Sequence, residues 1–507
     1  MREISIREAL PFGNEAQQCW LLIVEVRFMQ QPPELYTLFV SRVEGKDATD
    51  VVTARTPELI CTIEGGGEPA ALVEGFIEGW SCASFINLYK QVKTVSGRNG
   101  IFSVLQDRRR LPVFKECFGW WKEYPESSAV VCGDDLFFRM YRRLSDGINP
   151  DAEMLEHLSV RCGFPNVPRF FGAVKYKGSQ GNEHYIGAYS QYTHGESDVQ
   201  QMVVDSVTRF YEGRLAIDTR IEKAPEELDG DVFEIAFERP ALNNAEVLTE
   251  PDVTVFTLLG KRLAEMHLAL GRNGTNKDFA PEAYSKLYAR SVYQSVQSVV
   301  KRTIDRLHRK RGELDSSVIP YVDDVVASKE KLLRDAKEFL THKYSCQKIR
   351  LHGNLYLRRI FYTGKDFLFV NFEGQKHKSF TARRLKDSSL RDVVDVLDSL
   401  QYTALRVLER ASFIRPEDKD NLEIWAEVWR RNAGGVLLRS YAETVQGSKL
   451  LPKDAEAFRC MLDVFCVQRK FVDLRQFENM EPEELRIILK SILNIHCPQS
   501  AKACNRT

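Results

Sequence analysis

The chain has 507 residues, 43% hydrophobic and 28% charged, with 71 Lys and Arg against 71 Asp and Glu. That length suits two or three domains with ample core, and the composition is that of an ordinary globular protein. Zero net charge leaves no electrostatic footprint for nucleic acid or an anionic membrane.

The N-terminus, Met1-Arg2-Glu3-Ile4-Ser5, is charged and lacks the apolar run of a signal peptide. The apolar stretch Trp20 to Val24 is far short of the ~20 residues that span a bilayer. A cytosolic protein without membrane or nucleic-acid partners is expected. The 11 cysteines are odd in number and scattered from Cys19 to Cys504, with no Cys-x-x-Cys pair. That pattern argues for reduced thiols rather than a zinc site or a disulfide framework. Cys460 and Cys466, in a helical segment, read as small buried hydrophobes.

Residues 18–42 read as two strands. Trp20 to Phe28 alternates and is β-branched, Gln31-Pro32-Pro33 turns, and Leu35 to Val40 returns. Gly65-Gly66-Gly67 marks a loop, and a mixed segment follows over about 70–115. Residues 124–143 carry a hairpin signature: Ser128 to Cys132, a Gly133-Asp134-Asp135 turn, then Leu136 to Tyr141. Asp151 to Val160 has helical spacing with acids in its first turn. Beyond about residue 193 helices dominate, over Asp252 to Leu270, Ala283 to Leu307 and Tyr321 to Leu340. Strands return briefly at Lys348 to Leu351, Ile360 to Tyr362 and Phe367 to Phe372. The basic runs Lys301 to Arg311 and Arg108-Arg109-Arg110 lack interleaved aromatics and read as solvated faces. Cys497 to Thr507 carries no periodicity and reads as a frayed tail.

The chemistry is concentrated in residues 349–374, which hold His352-Gly353-Asn354 and, after a short hairpin, Asn371-Phe372-Glu373-Gly374. This resembles the pair of loops in kinases, where His-Gly-Asp holds the catalytic base and Asp-Phe-Glu-Gly holds magnesium. Phosphoryl transfer needs both, because it works by positioning and charge neutralisation. The wider resemblance, over nearly the whole chain, is to bacterial maltokinases, relatives of the aminoglycoside phosphotransferases. Gly147-Ile148-Asn149-Pro150-Asp151-Ala152-Glu153 resembles the family's Gly-x-Asn-Pro-x-x-Glu. Phe164-Pro165-Asn166-Val167-Pro168, Gly260 to His267 and Lys386 to Val393 are similar to further family segments.

The resemblance implies an α+β, bilobal, protein-kinase-like fold. It implies a cap subdomain over 1–88, an intermediate region and five-stranded-type small lobe over 89–192, and a helical large lobe over 193–507. Arg139 falls at the ATP-contacting lysine, with Glu153 as its partner. Ser127 and Ser128 fall on the phosphate-covering hairpin, and Gln191 and Thr193 at the hinge. Asn354 stands at the catalytic base, and Asn371, Arg359 and Glu373 at the metal positions. His352 and Tyr402 fall near the acceptor. Trp425 and Trp429, one helical turn apart, could stack on a sugar or pack in the core. Lys470 to Glu478 only partly matches the family's arginine-rich, acidic C-terminal helix.

The departures fall on the chemistry. The family's catalytic loop reads His-Gly-Asp-x-His-Leu-Gly-Gln; here Asn354 replaces the Asp and Arg359 the Gln, and Asn371 replaces the second Asp. An amide has no proton affinity near neutral pH, and losing a general base commonly costs roughly 10² to 10⁴ in rate. Two lost carboxylates and one added cation also oppose magnesium, which prefers carboxylate oxygens. Each unit charge at about 4 Å is worth on the order of 4 kcal/mol at an effective dielectric of roughly 20. The resemblance implies ATP as the cofactor, and these substitutions leave magnesium binding impaired. Arg359 either contacts phosphate directly in place of the metal, or Arg358 and Arg359 are solvated or paired with acids. The leading expectation is a pseudokinase that binds or regulates in trehalose, maltose or α-glucan metabolism, with a maltose-like ligand and trehalose synthase as partner. The rival is ATP-dependent phosphorylation of maltose at its reducing-end hydroxyl. A third reading is a different transfer chemistry with Arg359 as phosphate clamp.

Overall fold

The computed structural model describes residues 2–13, 17–54, 58–65, 67–77, 79–91, 94–106, 120–124, 127–133, 135–193, 197–217, 230–239, 247–272, 276–375 and 378–494. Gly66, Asp134, the Arg108-Arg109-Arg110 triplet and the C-terminal run 497–507 lie outside the described residues. The chain divides into two compact units. One is Met1–His194 with Lys376–Arg384; the other is Gly195–Gln375 with Leu385–Thr507.

The first unit is built on two antiparallel sheets. Strands β1 (Glu3–Gly13), β2 (Gln18–Arg27), β3 (Glu34–Glu44), β4 (Leu59–Ile63) and β5 (Ala70–Glu74) run in the order β1-β2-β3-β5-β4. The two strands read around Pro32-Pro33 are β2 and β3, with Trp20 opposite Val40. The charged N-terminal segment is also a strand. Its pattern is inverted: Ile4 and Ile6 face solvent, while Glu8 is buried and accepts the backbone N–H groups of Arg98 (2.8 Å) and Asn99 (2.7 Å). Helix α1 (Gly45–Ala54) joins β3 to β4, and α2 (Gly79–Gln91) follows β5.

The second sheet comprises β6 (Thr94–Ser96), β7 (Gly100–Gln106), β8 (Trp120–Tyr124), β9 (Ser127–Cys132), β10 (Leu136–Tyr141), β12 (Phe170–Gly178) and β13 (Glu183–Gln191). Their order is β6-β7-β12-β13-β10-β9-β8, seven strands rather than the five expected. The short β11 (Arg143–Leu144) pairs with β3 instead. The hairpin read around Gly133 is β9–β10, registered from Leu136 opposite Cys132 to Tyr141 opposite Ser127. Both sheets and α2 bury their apolar faces in one core. Phe39, Phe76 and Phe85 pack with Phe138, and Tyr189 lies 4.5 Å from Phe138 between ring centroids. Residues 1–88 and 89–192 therefore share a single core in this structure. Helix α3 (Pro150–Glu156) begins with Asn149, whose side chain accepts from the N–H of Asp151 at 2.9 Å, and ends in a wider π turn over His157–Arg161.

The second unit is mostly helical. It contains α4 (Val199–Ile217), α5 (Val232–Phe237), α6 (Glu250–Leu270), α7 (Lys286–Lys310), α8 (Ile319–Ala327) and α9 (Lys329–Glu338). The segment read as one helix from Tyr321 to Leu340 breaks at Ser328, whose hydroxyl donates back to the Val325 carbonyl at 2.8 Å. The four-residue α10 (Phe380–Arg383) belongs to the first unit; α11 (Leu390–Arg410), α12 (Lys419–Thr444), α13 (Ala455–Asp473) and α14 (Pro482–Leu493) complete the second. Short strands β14 (Ser197–Asp198), β17 (Ile360–Tyr362) and β18 (Phe367–Phe369) form a three-stranded sheet, and β15 (Glu282–Ala283) pairs with β16 (Gln347–Lys348). The basic run on α7 is paired: Arg306 with Glu478, Lys310 with Glu313 at 2.7 Å, and Arg311 with Asp323 at 2.6 Å. None of the cysteines among the described residues is in a disulfide, and burial pushes the Cys460 and Cys466 thiols up to about 12. Among the described residues no helix is long and apolar enough to cross a membrane.

Helices α6 and α12 approach so closely at Gly260 that a Cβ there would lie 2.3 Å from the Leu437 carbonyl oxygen. The obstacle is backbone, so the helices themselves must move apart. Gly260→Ala is expected to destabilise the protein by ~1–3 kcal/mol, read as a lower urea midpoint at unchanged slope.

Candidate functional site

The loop His352 to Leu355 hangs on two carboxylates presented by α11. Asp392 is fully buried. It accepts the backbone N–H of His352 (2.8 Å) and of Gly353 (2.8 Å) and contacts Nε2 of His267 at 3.1 Å. One turn on, Asp395 accepts the N–H of Leu355 at 2.9 Å. Burial alone would push the Asp392 carboxyl up. The hydrogen bond and charge of His267, with His352 and the Gly353 N–H, outweigh it and hold the group below the usual carboxylate range. His267 is anchored on its other ring nitrogen by the Tyr441 hydroxyl at 2.9 Å. Asp395 is pushed up to about 6 by burial, against the opposing charge of Arg469 at 3.2 Å. Arg469 also pairs with Asp473 at 3.1 Å, and Lys470 with Asp398 at 2.7 Å. An ionic chain therefore runs from the loop to α13, the helix that only partly matches the family pattern.

The second loop is tied to the first through His352. Its Nε2 lies 3.0 Å from the Val370 carbonyl, which only accepts, so that nitrogen carries the proton. Its ring packs on Phe372 at 4.8 Å between centroids. The ring is fully buried, and its Nδ1 has no hydrogen-bond partner. Burial first, and then the Arg359 charge against the opposing pull of Asp392, lowers its pKa to about 4. His352 is thus a neutral structural bridge at pH 7. Gly353 adopts φ +75°, and a Cβ there would lie 3.7 Å from Cα of Gly374, so the two loop backbones run side by side. The β17–β18 hairpin between them is fixed to α6 by Arg262, whose Nε and Nη2 each reach Asp366 at 2.7 Å.

The substituted positions converge here. Asn354 and Asn371 are half-buried. Asn371 adopts φ +64°, a left-handed conformation that Asn and Asp tolerate better than other side chains. Arg359 is only 5% exposed. Its Nη1 donates to the Asn371 carbonyl at 2.9 Å, and its guanidinium lies over the Tyr356 ring at 4.8 Å. Arg358 is exposed and Glu373 is buried. Two amides, one guanidinium and one carboxylate are a poor donor set for magnesium. Among the described residues no three His, Cys, Asp or Glu side chains group so as to hold a metal ion.

The remaining nominated residues sort by environment. In the first unit, Arg139 donates from Nε to the Ser127 hydroxyl at 3.1 Å and lies 3.5 Å from Asp151. Arg142 donates to the Ser128 hydroxyl at 3.2 Å. Both serines are fully buried, and their hydroxyls accept from these arginines. Glu153, nominated to pair with Arg139, receives both arms of Arg384, at 2.9 and 2.7 Å. Gln191 ends β13, its N–H bonded to the Arg169 carbonyl at 2.7 Å, and Thr193 lies just before the first unit ends at His194. In the second unit, Tyr402 is half-buried on α11, its phenol pushed up by burial and by Glu484. Of the two readings offered for Trp425 and Trp429, their environment is that of core packing. Both are buried; Arg214 covers Trp425 at 4.2 Å and Phe256 meets Trp429 edge-on at 5.8 Å. A small pocket of about 80 Å³ lies among α5 and α11–α14 beside Asp398, Asp463 and Lys470. Of the residues singled out from sequence, Cys466 and Lys470 line it, and none of the loop-pair residues does.

Asp392→Ala is expected to destabilise the second unit by ~3–5 kcal/mol, because it strands two backbone donors and His267. Denaturant unfolding of the variant checks this. Between the ordinary His value of 6.5 and about 4, the unfolded chain binds a proton that folded His352 refuses. Stability from this group is full above 6.5 and is lost as pH falls through that window. The stability difference between the natural chain and His352→Gln should therefore shrink by at most ~3 kcal/mol from pH 7 to pH 4.

No protein-family model matches the chain. Solved structures do. A glucosamine kinase (crystal form A) is 14% identical with a TM-score of 0.61, over 98% of this chain and 92% of that one. Crystal form B gives 14% and 0.62 over 97% and 94%. The complex of glucosamine kinase with glucosamine, ADP and inorganic phosphate gives 13% and 0.60 over 97% and 94%. What this chain shares with those sugar kinases, at such identity, is the fold.

Proposed function

We propose that this protein is a sugar-kinase-fold pseudokinase: a chain that keeps the loop architecture of a phosphotransferase and binds rather than transfers. One observation carries the reading. The Arg359 guanidinium sits on the Asn371 carbonyl, at the position where the resemblance puts a metal-contacting side chain, while Asn354 stands where the base belongs. An amide accepts no proton at neutral pH. His352 is no substitute, since it is fully buried with its proton directed to Val370. The support around the loops is intact, which favours a retained binding role over a decayed fold. Asp392, Asp395, His267 and Arg262 all hold their partners.

The ligands that fit this reading are a nucleotide and a sugar. Glucosamine and ADP are bound by the glucosamine kinase of similar fold, and maltose is the sugar of the family the sequence resembles. Trehalose synthase is the first protein partner to test, on the strength of that same resemblance.

Transfer from ATP to glucosamine and to maltose, with magnesium or manganese, should be absent in the natural chain. It should appear, or rise at least about a hundredfold, in the Asn354→Asp, Asn371→Asp, Arg359→Gln triple variant. The left-handed backbone at Asn371 accepts Asp, so the reversal carries little conformational cost there. Turnover of the natural chain at about 1 s⁻¹ or more, within the usual kinase range, would end the pseudokinase reading.

A further inference from the structure

The loop pair holds a cation of its own. Arg359 is 5% exposed, yet it makes no ion pair with a carboxylate among the described residues. One of its five N–H donors serves the Asn371 carbonyl, and its flat face rests on Tyr356. Buried charges in folded proteins are ordinarily paired, so this guanidinium lacks an anionic partner. Its surroundings do not supply one. Asn354 and Asn371 are neutral amides, and Glu373, the buried carboxylate of the second loop, makes no ion pair with Arg359 among the described residues. The adjacent His352 is already kept neutral partly by the Arg359 charge. The cation is also held in place: its backbone N–H bonds the Tyr356 carbonyl at 2.8 Å, and its carbonyl accepts from Val370 N–H at 3.0 Å. A planar fork fixed in this way suits the bidentate geometry of phosphate oxygens.

We propose that Arg359 is a resident replacement for the metal ion, making the loop pair a site for the phosphate group of a ligand that binds without any divalent cation. This rests on reading the loops as derived from a kinase site, and it goes further by naming the ligand chemistry and the group that holds it. Two sources carry such a phosphate, a nucleotide and a sugar phosphate.

The test is calorimetric titration of the full chain with ADP, with glucose 6-phosphate and with inorganic phosphate, each in EDTA and in excess magnesium. At least one probe should bind with the same affinity, within about twofold, in both conditions. ADP binding alone would assign the site to a nucleotide, and glucose 6-phosphate binding alone to a sugar phosphate. Arg359→Gln should weaken that probe at least tenfold. Arg359→Lys, which keeps the charge and loses the fork, should fall between. Arg358→Gln, which removes an exposed charge next door, should leave binding unchanged. Affinity that rises tenfold or more with magnesium overturns the inference, as does full binding by Arg359→Gln or no binding of any probe by the natural chain. The magnesium comparison uses only the natural chain, so it decides even if Arg359→Gln does not fold. Phosphate transfer in a parallel assay would sink the pseudokinase reading. Magnesium-dependent binding without transfer would sink this inference alone.

Discussion

A single buried carboxylate organises the second unit. Asp392 stands near the start of α11 and binds two consecutive backbone N–H groups of the His352 loop and a ring nitrogen of His267. A buried carboxylate so thoroughly hydrogen-bonded stays ionised, held by His267 and by the fixed dipoles of two backbone N–H groups rather than by a mobile lysine. Three elements distant in sequence (α6, the loop and α11) are thereby locked at one point. From it the geometry propagates: the loop fixes His352, His352 fixes the Val370 carbonyl and Phe372, and the hairpin between is fixed by Arg262 on Asp366. The position of Arg359 against Asn371 follows from these anchors.

The contrast between scaffold and chemistry is sharp at this site. Groups that position the loops are present and paired, while the positions where the sequence resemblance puts a base and metal ligands carry amides and a guanidinium. Decay of an unused site would be expected to loosen both classes alike, since buried polar groups are destabilising once their partners go. Here only one class has changed, and Arg359 is buried and aligned rather than splayed into solvent. That asymmetry is what supports the proposed binding role.

Much of this was legible in the sequence, for identifiable reasons. Strands β2 and β3 announce themselves by alternation around Pro32-Pro33, β9–β10 by its Gly133 turn, and α6 by its apolar period. The loop pair is visible because its motif is short and contiguous. What escaped was long-range or inverted. β1 shows its isoleucines to solvent and buries Glu8, so its pattern reads as a charged tail. Asp392, His267 and the Asp395–Arg469 pair are spread over some two hundred residues, and no local spacing links them. The Ser328 break leaves helical periodicity on both sides and so is silent. Trp425 and Trp429 show the limit of spacing: it places them on one helix face but leaves open whether that face is free or, as here, covered by Arg214 and Phe256.

The shared core of the first unit bears on how the chain is made. Its central rings come from Phe39, Phe76, Phe85, Phe138 and Tyr189, and Thr37 bonds the Tyr141 carbonyl 104 residues away. Few of these contacts are local, and loop-closure entropy must be met before any of them forms. During synthesis the first sheet would leave the ribosome with its apolar face bare and wait until β13 had emerged to cover it. The unit is finished later still, because Arg384 reaches Glu153 across 231 residues, after most of the second unit's helices have been made. The nascent chain thus has a long window in which β1, an edge strand with Ile4 and Ile6 outward, is open to pairing with another chain. Recombinant yield should therefore respond more to chaperone supply and translation speed than the stability of the finished protein would suggest.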